Sequence, residues 1–588
     1  MLYLEINVDA ALAYVDAMKD TRLGQDIQAA MAPSKEGKKA GGAAATAGAA
    51  LSAIVPLLDG LGKRAAVGLT IHQDPKTLQF SSMDMIVVIP AEDTDKARAN
   101  VGVMAGMGAA QMDWAWKDEP EGQDMVHVAT STLQAPPPKP GVIGPKLPTV
   151  LPAYSFASGA LIIGSSADVV HRALKTAATG PSLASKKFPD SLLQAVNKDA
   201  FLWGIGTAQM PTTTAGAPVF DFNKYPFLKK MMDANQGSAF WIDLKPEAIT
   251  MSSLAAYDPS TEFGKMVAAF QPGDLKVPPM GFGGSFEFVD MADLPHFAAM
   301  LNAIIDLEAE MFTNIAAGGG AAATAPWLPG GKAGGAAPGN PGSAVLKGMS
   351  DAIKKWKGPI SDIISGCGGE MAFDFGPIAM NAGAAPGMPK VNLMVEQGSD
   401  PRLQKGMMAL LRLISDASGM KWYPTQIKGI PVQILGPESS PIRPVYGVVN
   451  GFQILGLSKD SITTPIYLSA GVHPGASLAA DPKFAAMTKA LGGKSLGLIY
   501  IDPASIIQII EMVAQMSTKG KAAGPAVKVG FEIANDIGQL GFSYYPVPGG
   551  LASKGIFTMN PNAAPPADAG AAGFTPPPPA TPKAAKQP

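Results

Sequence analysis

The chain has almost no cysteine, since Cys367 is the single one among 588 residues. One cysteine excludes an intrachain disulfide and a metal cage built from thiolates. No histidine or basic residue lies close to Cys367 in sequence to lower the pKa of its thiol, so we interpret it as a small, partly buried residue. A chain nearly free of cysteine is compatible with a reducing cytosol and equally with export without disulfides.

Charged residues are also scarce, at 16% of the chain, against roughly 25% in an ordinary soluble protein. The 46 Lys and Arg nearly balance the 48 Asp and Glu, and the net charge is -2. Such a chain has no long-range field to attract nucleic-acid phosphates or an anionic membrane. We therefore expect no nucleic-acid partner.

Long apolar runs are missing as well. The nearest approach to the roughly 18 apolar residues of a membrane-spanning helix is Gly41–Leu58, whose Ala, Gly, Ser and Thr make it too weakly hydrophobic. We expect no transmembrane segment. Met1 leads directly into LYLEINV, a predicted strand, with no secretion signal before it. Either the protein is cytosolic or a leader has been removed before Met1.

What the chain does contain is one motif in two copies. Residues Tyr154–Asp168 have the sequence YSFASGALIIGSSAD, and Tyr446–Asp460 have YGVVNGFQILGLSKD, with Tyr, Gly, Gly, Ser and Asp at identical spacing. Each copy predicts a strand, a tight turn at the first Gly, a short apolar strand and a helix capped by the Asp. The elements before and after the motif also follow the same order in both halves. The pattern indicates an internal duplication.

The repeat predicts an α+β protein of two tandem modules, at residues 1–315 and 346–562. Strands come in adjacent pairs joined by short turns and are separated by helices, so each module is predicted to be an antiparallel sheet covered by helices. A proline-rich insert at 135–152 interrupts the first module. A Gly/Ala/Pro linker at 316–345 joins the modules, and the Pro/Ala-rich tail at 563–588 is expected to be disordered.

Few residues suggest a metal site. The five histidines form no HxxxH or HxH pair, and the densest group of possible ligands is Asp290, Asp293 and His296, three residues apart. Asp293 followed by Pro295 is also an ordinary helix start, with an N-cap and a proline in the first turn. We expect no metal, no cofactor and no catalytic residue, and Asp290, Asp293 and His296 are the metal candidates if there is one.

Motifs of catalysis are missing too. No G-x-S-x-G turn is present, and the glycine-rich runs near Gly41, Gly318 and Gly330 lack the Lys-Ser/Thr of a phosphate loop. Paired carboxylates of a hydrolase leave no sequence signature, so dispersed catalytic residues stay open. The 30 methionines favour core packing and leave open a pocket for a hydrophobic ligand between sheet and helices.

The segments YGVVNGFQILGLSKDS, SLAADPKF and SLGLIYID together resemble the repeating pattern of an uncharacterised bacterial family, a domain of unknown function found largely in exported or membrane-tethered proteins. The N-terminal copy is similar but more divergent, with Ser185 and Lys186 where the second copy has Ala480, Asp481 and Pro482. The resemblance implies an extracytoplasmic location, in the periplasm or at the cell surface, and transfers no catalytic residue. The expected location is cytoplasmic if no leader was removed.

These observations together predict a non-enzymatic, envelope-associated bacterial protein that binds or scaffolds a partner of unknown identity. A protein partner or self-association is expected. One alternative is a carrier of a lipid or other hydrophobic ligand, bound at a methionine-rich face. The other alternative is a hydrolase with dispersed catalytic residues.

Overall fold

A computed structural model describes most of the chain. The described residues are 2–22, 25, 60–73, 80–112, 114–131, 152–179, 188–206, 226–302, 355–378, 389–437, 443–472, 477–503 and 537–560. The predicted linker at 316–345 and tail at 563–588 lie outside them, as does the predicted insert up to residue 151.

Twenty strands form the framework of the part of the chain that the structure describes. The first ten are β1 (Leu2–Asn7), β2 (Arg64–Gln73), β3 (Phe80–Pro90), β4 (Trp114–Glu121), β5 (Asp124–Ser131), β6 (Ala153–Ala157), β7 (Ala160–Gly164), β8 (Leu202–Gly206), β9 (Asn235–Lys245) and β10 (Ala248–Tyr257). The last ten are β11 (Glu287–Met291), β12 (Cys367–Ile378), β13 (Pro389–Gln397), β14 (Trp422–Ile427), β15 (Ile430–Leu435), β16 (Val445–Val449), β17 (Phe452–Gly456), β18 (Gly497–Ile501), β19 (Ile537–Val547) and β20 (Gly550–Met559).

Helices connect these strands. They are α1 (Val8–Lys19), α2 (Thr94–Met112), α3 (Ala167–Thr179), α4 (Asp190–Ala195), α5 (Pro226–Ala234), α6 (Glu262–Ala269), α7 (Pro401–Ser418), α8 (Lys459–Ser469) and α9 (Pro482–Leu491). Residues 294–302 and 355–366 are helical as well. In the described part of the chain, no helix combines the length and the apolar character needed to span a membrane.

All twenty strands belong to one antiparallel sheet. From edge to edge the order is β4-β5-β6-β7-β3-β2-β1-β8-β9-β10-β20-β19-β18-β11-β12-β13-β17-β16-β15-β14. Each pairing among the first ten strands has a counterpart among the last ten. The two halves meet at β10 and β20, which pair from Ala248 opposite Thr558 to Ala256 opposite Gly550.

The predicted fold class of two modules, each with its own helix-covered sheet, is wrong: the sheet is continuous, and it dominates over the helices. The physical reason lies at the junction of the two halves. If the halves were separate, β10 and β20 would each expose a row of unpaired N–H and C=O groups. Pairing the two strands satisfies both rows at once. The Ser253 and Ser553 hydroxyls also lie 2.8 Å apart across this junction.

Strand β11 pairs with the second half of the sheet. Its residues fall within the predicted first module at 1–315, yet its neighbours are β12 and β18. The neighbours of β1 are likewise β2 and β8. The register is also the same, since Glu5 lies opposite Ala66 of β2 and Asp290 lies opposite Ala372 of β12. Glu5 and Asp290 therefore occupy equivalent positions in the two halves.

The segment between α6 and β11, residues 270–286, is called the connector here because it links the two halves. It contributes Val277, Met280 and Phe282 to the interior, and all three side chains are buried. Val277 and Met280 pack into the largest hydrophobic cluster, together with Phe288 and Tyr500. Each apolar side chain buried in this way stabilises the fold by about 1.5–3 kcal/mol. The connector is thus part of the core of the second half.

Both copies of the repeat motif fold as predicted, a hairpin followed by a helix. The turns Ser158–Gly159 and Asn450–Gly451 have positive φ at both residues, as a two-residue type I′ hairpin turn requires. The predicted helix cap is wrong in one detail, because Ser458 caps α8 by accepting from the Ser461 N–H, and Asp460 follows in the first turn. A hydroxyl oxygen on an extended residue is well placed to satisfy a free N–H at a helix start.

Candidate functional site

An open groove lies at one end of the sheet, between α7 and strands β14 and β15. Its volume is about 500 Å³. Helix α7 supplies one wall and the two strands supply the other. The main lining side chains are Lys405, Met408, Leu411, Arg412, Trp422 and Gln433.

Local sequence signals set the bounds of α7. The Asp400 side chain accepts the N–H of Arg402 at the N-terminus, and Pro401 occupies the first helical position. Gly419, with φ of 66°, ends the helix in the left-handed conformation that favours glycine. The apolar face of α7 is buried, so Met408 and Arg412 remain exposed along the groove.

Trp422 has a fixed position in the groove wall. Its indole N–H donates to the Leu411 carbonyl oxygen of α7 at 3.0 Å. The ring is half-buried, so one part packs against the helix and another part faces the groove. The groove therefore has a rigid aromatic surface, the type of side chain that most often anchors a bound partner.

Two cations lie on the helix wall of the groove, Lys405 and Arg412. Lys405 forms an ion pair with Asp362 at 2.9 Å, and its side chain is 74% exposed. Arg412 is exposed one helical turn further along the same wall as Met408. Arginine binds carboxylates and phosphates through a planar fork of donors. The groove is therefore suited to a ligand or segment that combines negative charge with apolar groups.

The first half has the same framework at the other end of the sheet. The Trp116 indole N–H donates to the Ala105 carbonyl oxygen of α2, also at 3.0 Å. The helix wall differs, because α2 carries Gly102 and Gly106, and neither has an atom within 4 Å of where a Cβ would lie. The same architecture therefore presents a smaller and uncharged helix wall at this end.

The strand wall also differs between the two ends. His127 lies opposite Tyr154, where Gln433 lies opposite Tyr446 in the second half. The His127 ring stacks on Tyr154 with centroids 4.6 Å apart, and its Nδ1 is 2.7 Å from an oxygen of Asp118. This end of the sheet therefore carries Asp118 at the position that Pro424 occupies at the groove end.

A second cluster of polar groups lies inside the core, on β11 and β12. Glu370 and Asp374 project from one face of β12, and Asp290 lies opposite Ala372, the residue between them. The exposed fractions of the three residues are 0% for Asp290 and Asp374 and 2% for Glu370. We call these three residues the acid row.

The acid row holds the connector. Glu370 accepts the backbone N–H groups of Lys276 and Val277, at 2.8 to 2.9 Å. Asp374 accepts the backbone N–H of Phe282 at 2.8 Å and the hydroxyl of Ser285 at 2.5 Å. Carboxylate oxygens thus satisfy buried donors that have no strand neighbour in this irregular segment.

Burial shifts the acid row toward its protonated forms. It raises the pKa of Asp374 to about 7, although hydrogen bonds from Ser285 and Phe282 act in the other direction. It also raises the pKa of Asp290 well above its usual range, and the negative charge of Glu370 adds to this rise. The pKa of Glu370 is raised by burial and lowered in part by a hydrogen bond from Asp290 and by the connector N–H groups.

These shifts define how Asp290 and Glu370 share a proton. As a carboxylate, Asp290 has no hydrogen-bond partner among the described residues for either oxygen. As a carboxylic acid it donates to Glu370, which then remains the acceptor for the connector. Two like charges this close cannot both be ionised at low cost. The raised pKa of Asp290 therefore favours a protonated Asp290 beside Glu370.

The predicted metal candidates fall into two places. Asp293 and His296 lie together, with Asp293 Oδ1 2.6 Å from His296 Nδ1, and Asp293 Oδ2 accepts the Gln271 N–H. Asp290 instead interacts with Glu370 inside the core. Within the described ranges, no three His, Cys, Asp or Glu side chains are arranged to bind one metal ion.

Sequence reasoning missed both the groove and the acid row. Glu370 and Asp374 alternate with apolar residues along β12, a pattern that predicts a solvent-facing side of the strand and not a buried one. The groove needs Trp422 and Arg412 to meet across separate elements, which no local spacing encodes. One signal was available in the sequence. Trp116 and Trp422 each follow, with a sequence separation of 11, the residue whose carbonyl oxygen they bind, Ala105 and Leu411.

Comparisons with known proteins identify no relative. No protein-family model matches the chain, and neither the curated proteins nor the solved structures include one with significant similarity to it. No role of any residue is therefore transferred from another protein.

Proposed function

We propose that the chain is a non-enzymatic binding or scaffolding protein that holds a partner in the groove between α7 and β14–β15. The observation that carries this proposal is the composition of the groove, which brings the apolar side chains of Trp422 and Met408 together with the cations Lys405 and Arg412. A partner segment that presents both acidic and apolar side chains fits such a surface.

The acid row supports binding over hydrolysis. A hydrolase needs carboxylates or a histidine that converge in a cleft open to substrate. Asp290, Glu370 and Asp374 do converge, but the connector covers them and all three are buried. The hydrogen bonds of Glu370 and Asp374 to the connector give these two residues a structural role instead.

The groove also favours a protein partner over a lipid. A carrier encloses most of its ligand in a largely apolar cavity. The groove is open to solvent, and Lys405, Arg412 and Gln433 make up a large share of its lining. An open, mixed surface of this kind suits a partner that contributes its own rim of polar side chains.

Scaffolding is supported by the repeated architecture. We propose that the chain arose by internal duplication, because the pairings of β1–β10 recur in β11–β20 and Trp116 and Trp422 make the same hydrogen bond. The sheet then has two ends with one framework and different surface charges. A protein of this design presents two distinct surfaces at a fixed separation.

An envelope location belongs to the same proposal and rests on the family resemblance. Fractionation of cells of the native source, with the intact mass of the purified protein, tests it. Recovery in the periplasmic or surface fraction supports the location. Recovery in the cytosol overturns it and leaves the groove argument unaffected.

Site-specific photo-crosslinking tests the binding function. A photo-reactive phenylalanine analogue replaces Met408, which is 45% exposed in the groove, and a control chain carries it at Met251, which is 41% exposed on β10. We expect a defined crosslinked product from position 408 that disappears when Arg412→Glu is added. Identical products from both positions, or products that are indifferent to Arg412→Glu, would overturn the proposal.

A further inference from the structure

The two end strands of the sheet are β4 and β14, and in the described part of the chain each pairs on one side only. Each contains one proline, Pro120 in β4 and Pro424 in β14. Proline lacks an N–H group and is a common guard against uncontrolled strand addition at a sheet edge. Any contact at these ends therefore depends on side chains more than on continuing the sheet.

The side chains at the two ends have opposite charge. The hairpin β4–β5 carries Asp118, Glu119, Glu121 and Asp124 against the single Lys117. At the other end, residues 421–435 carry Lys421 and Lys428 and no acidic residue. The ends share one framework, so the difference in charge is a difference in sequence alone.

Neighbouring helices reduce this contrast without removing it. Lys175 and His171 of α3 contact Glu121, at 3.7 and 2.7 Å. Asp118 lies 2.7 Å from His127 and is still 62% exposed. At the groove end, Asp362 pairs with Lys405, and α7 adds the exposed Arg412. The hairpin end therefore stays acidic, and the groove end stays basic.

Apolar groups accompany the charges at both ends. Met125 lies opposite Pro120, so it projects from the same face of the hairpin as Asp118. Met125 is 44% exposed, and Met408 in the groove is 45% exposed. Methionine is a flexible side chain that adapts to irregular apolar surfaces. The hairpin thus offers the acidic and apolar combination for which the groove is suited.

We propose that the acidic β4–β5 hairpin of one copy binds the basic groove of a second copy, so that the protein self-associates head to tail. This inference rests on the proposed function, because it names the partner of the same groove. Contacts between two grooves or between two hairpins would bring like charges together, which disfavours them. A head-to-tail contact joins different surfaces and therefore builds closed rings or open chains.

Sedimentation analysis of the purified full chain tests this inference, at low salt of about 50 mM and high salt of about 500 mM. We expect masses that are multiples of 60.5 kDa at low salt and smaller species at high salt. Two reversed variants, Lys405→Glu with Arg412→Glu and Asp118→Lys with Asp124→Lys, are each expected to be monomeric. Lys265→Glu, an exposed position on α6, is the control and should assemble like the unmodified chain.

Mixing the two reversed variants gives the decisive result. The reversed groove is acidic and the reversed hairpin is basic, so we expect the mixture to assemble although neither variant does alone. This rescue also rules out misfolding as the cause of each monomer. An unmodified chain that stays monomeric up to about 100 μM, where a contact with Kd of about 10 μM would be mostly formed, overturns the inference. Assembly that survives both reversals overturns it as well.

The two proposals fail separately. A monomeric purified chain that still crosslinks to another protein through Met408, in a manner sensitive to Arg412→Glu, keeps the binding function and removes self-association. Assembly through another surface, with no product from Met408, removes both.

Discussion

Replacing Asp374 by Asn should stabilise the protein, and the gain should grow as the pH rises. Asp374 is fully buried, and its pKa in the folded protein is about 7, above the value of about 3.9 in an unfolded chain. A raised pKa of an acid means that folding is most favourable when the group is protonated. The contribution is fully present below the unfolded pKa and is lost as the pH rises through the folded pKa.

The size of the effect follows from the shift. About three pKa units correspond to about 4 kcal/mol between full protonation and full ionisation of Asp374 in the folded state. Asn stays neutral throughout, and its oxygen can still accept the N–H of Phe282. The free energy of unfolding of Asp374→Asn, relative to that of the unmodified chain, should therefore increase by about 3 kcal/mol between pH 5 and pH 8.

Urea unfolding of both chains at several pH values between 5 and 8 measures this difference. Glu262→Gln is a suitable control, because that side chain is 77% exposed and its replacement should give a difference with little dependence on pH. If the free energy of unfolding of Asp374→Asn differs from that of the unmodified chain by the same amount at pH 5 and pH 8, Asp374 does not have a raised pKa in the folded protein.

Four further substitutions test other parts of the structure. Glu370→Ala leaves two buried connector N–H groups without an acceptor, so we expect a loss of at least about 2 kcal/mol and faster hydrogen exchange across residues 275–285; unchanged exchange there contradicts the role of the acid row. Trp116→Phe and Trp422→Phe each remove one equivalent hydrogen bond and should each cost about 1 kcal/mol in urea unfolding, whereas a large difference between them contradicts the equivalence. Gly366→Ala places a Cβ 2.2 Å from the Leu403 nitrogen, so we expect the protein to lose about 1–3 kcal/mol of stability and to melt at a lower temperature. An unchanged melting temperature contradicts that contact.

Local structure was the part of the fold that the sequence could predict. The turn at Asn450–Gly451 forms a type I′ hairpin because Asn and Gly tolerate positive φ, and that preference is a property of the two residues themselves. Asp400 and Pro401 likewise start α7, because a capping carboxylate followed by proline is an ordinary local signal for a helix start. These outcomes depend on neighbouring residues, so a short stretch of sequence contains the required information.

The join between β10 and β20 could not be predicted in the same way. Ser253 and Ser553 are 300 residues apart in sequence, and each strand is as well suited to an exposed edge as to a shared one. The choice depends on which arrangement leaves fewer backbone groups unpaired in the whole molecule. The groove and the acid row share this property, because their residues meet only after the sheet has formed.

The acid row also explains why equivalent positions carry different residues in the two halves. Glu5 of β1 pairs with Arg64 of β2 at 2.8 Å, where Arg64 is 46% exposed and water can solvate the pair. At the same position in the second half, Asp290 is next to Glu370. Glu5 and Asp290 both carry a carboxyl group, so the two halves differ in the neighbouring residue, which is Arg64 in β2 and Glu370 in β12.

That change follows from the connector. Arginine has donors only, and an arginine in place of Glu370 could not accept the N–H groups of Lys276 and Val277. A glutamate accepts both, and the neighbouring Asp290 then avoids a second buried charge by keeping its proton. The same strand position thus carries Arg64 in a solvated ion pair in the first half. In the second half it carries Glu370, which accepts hydrogen bonds from the connector that covers it.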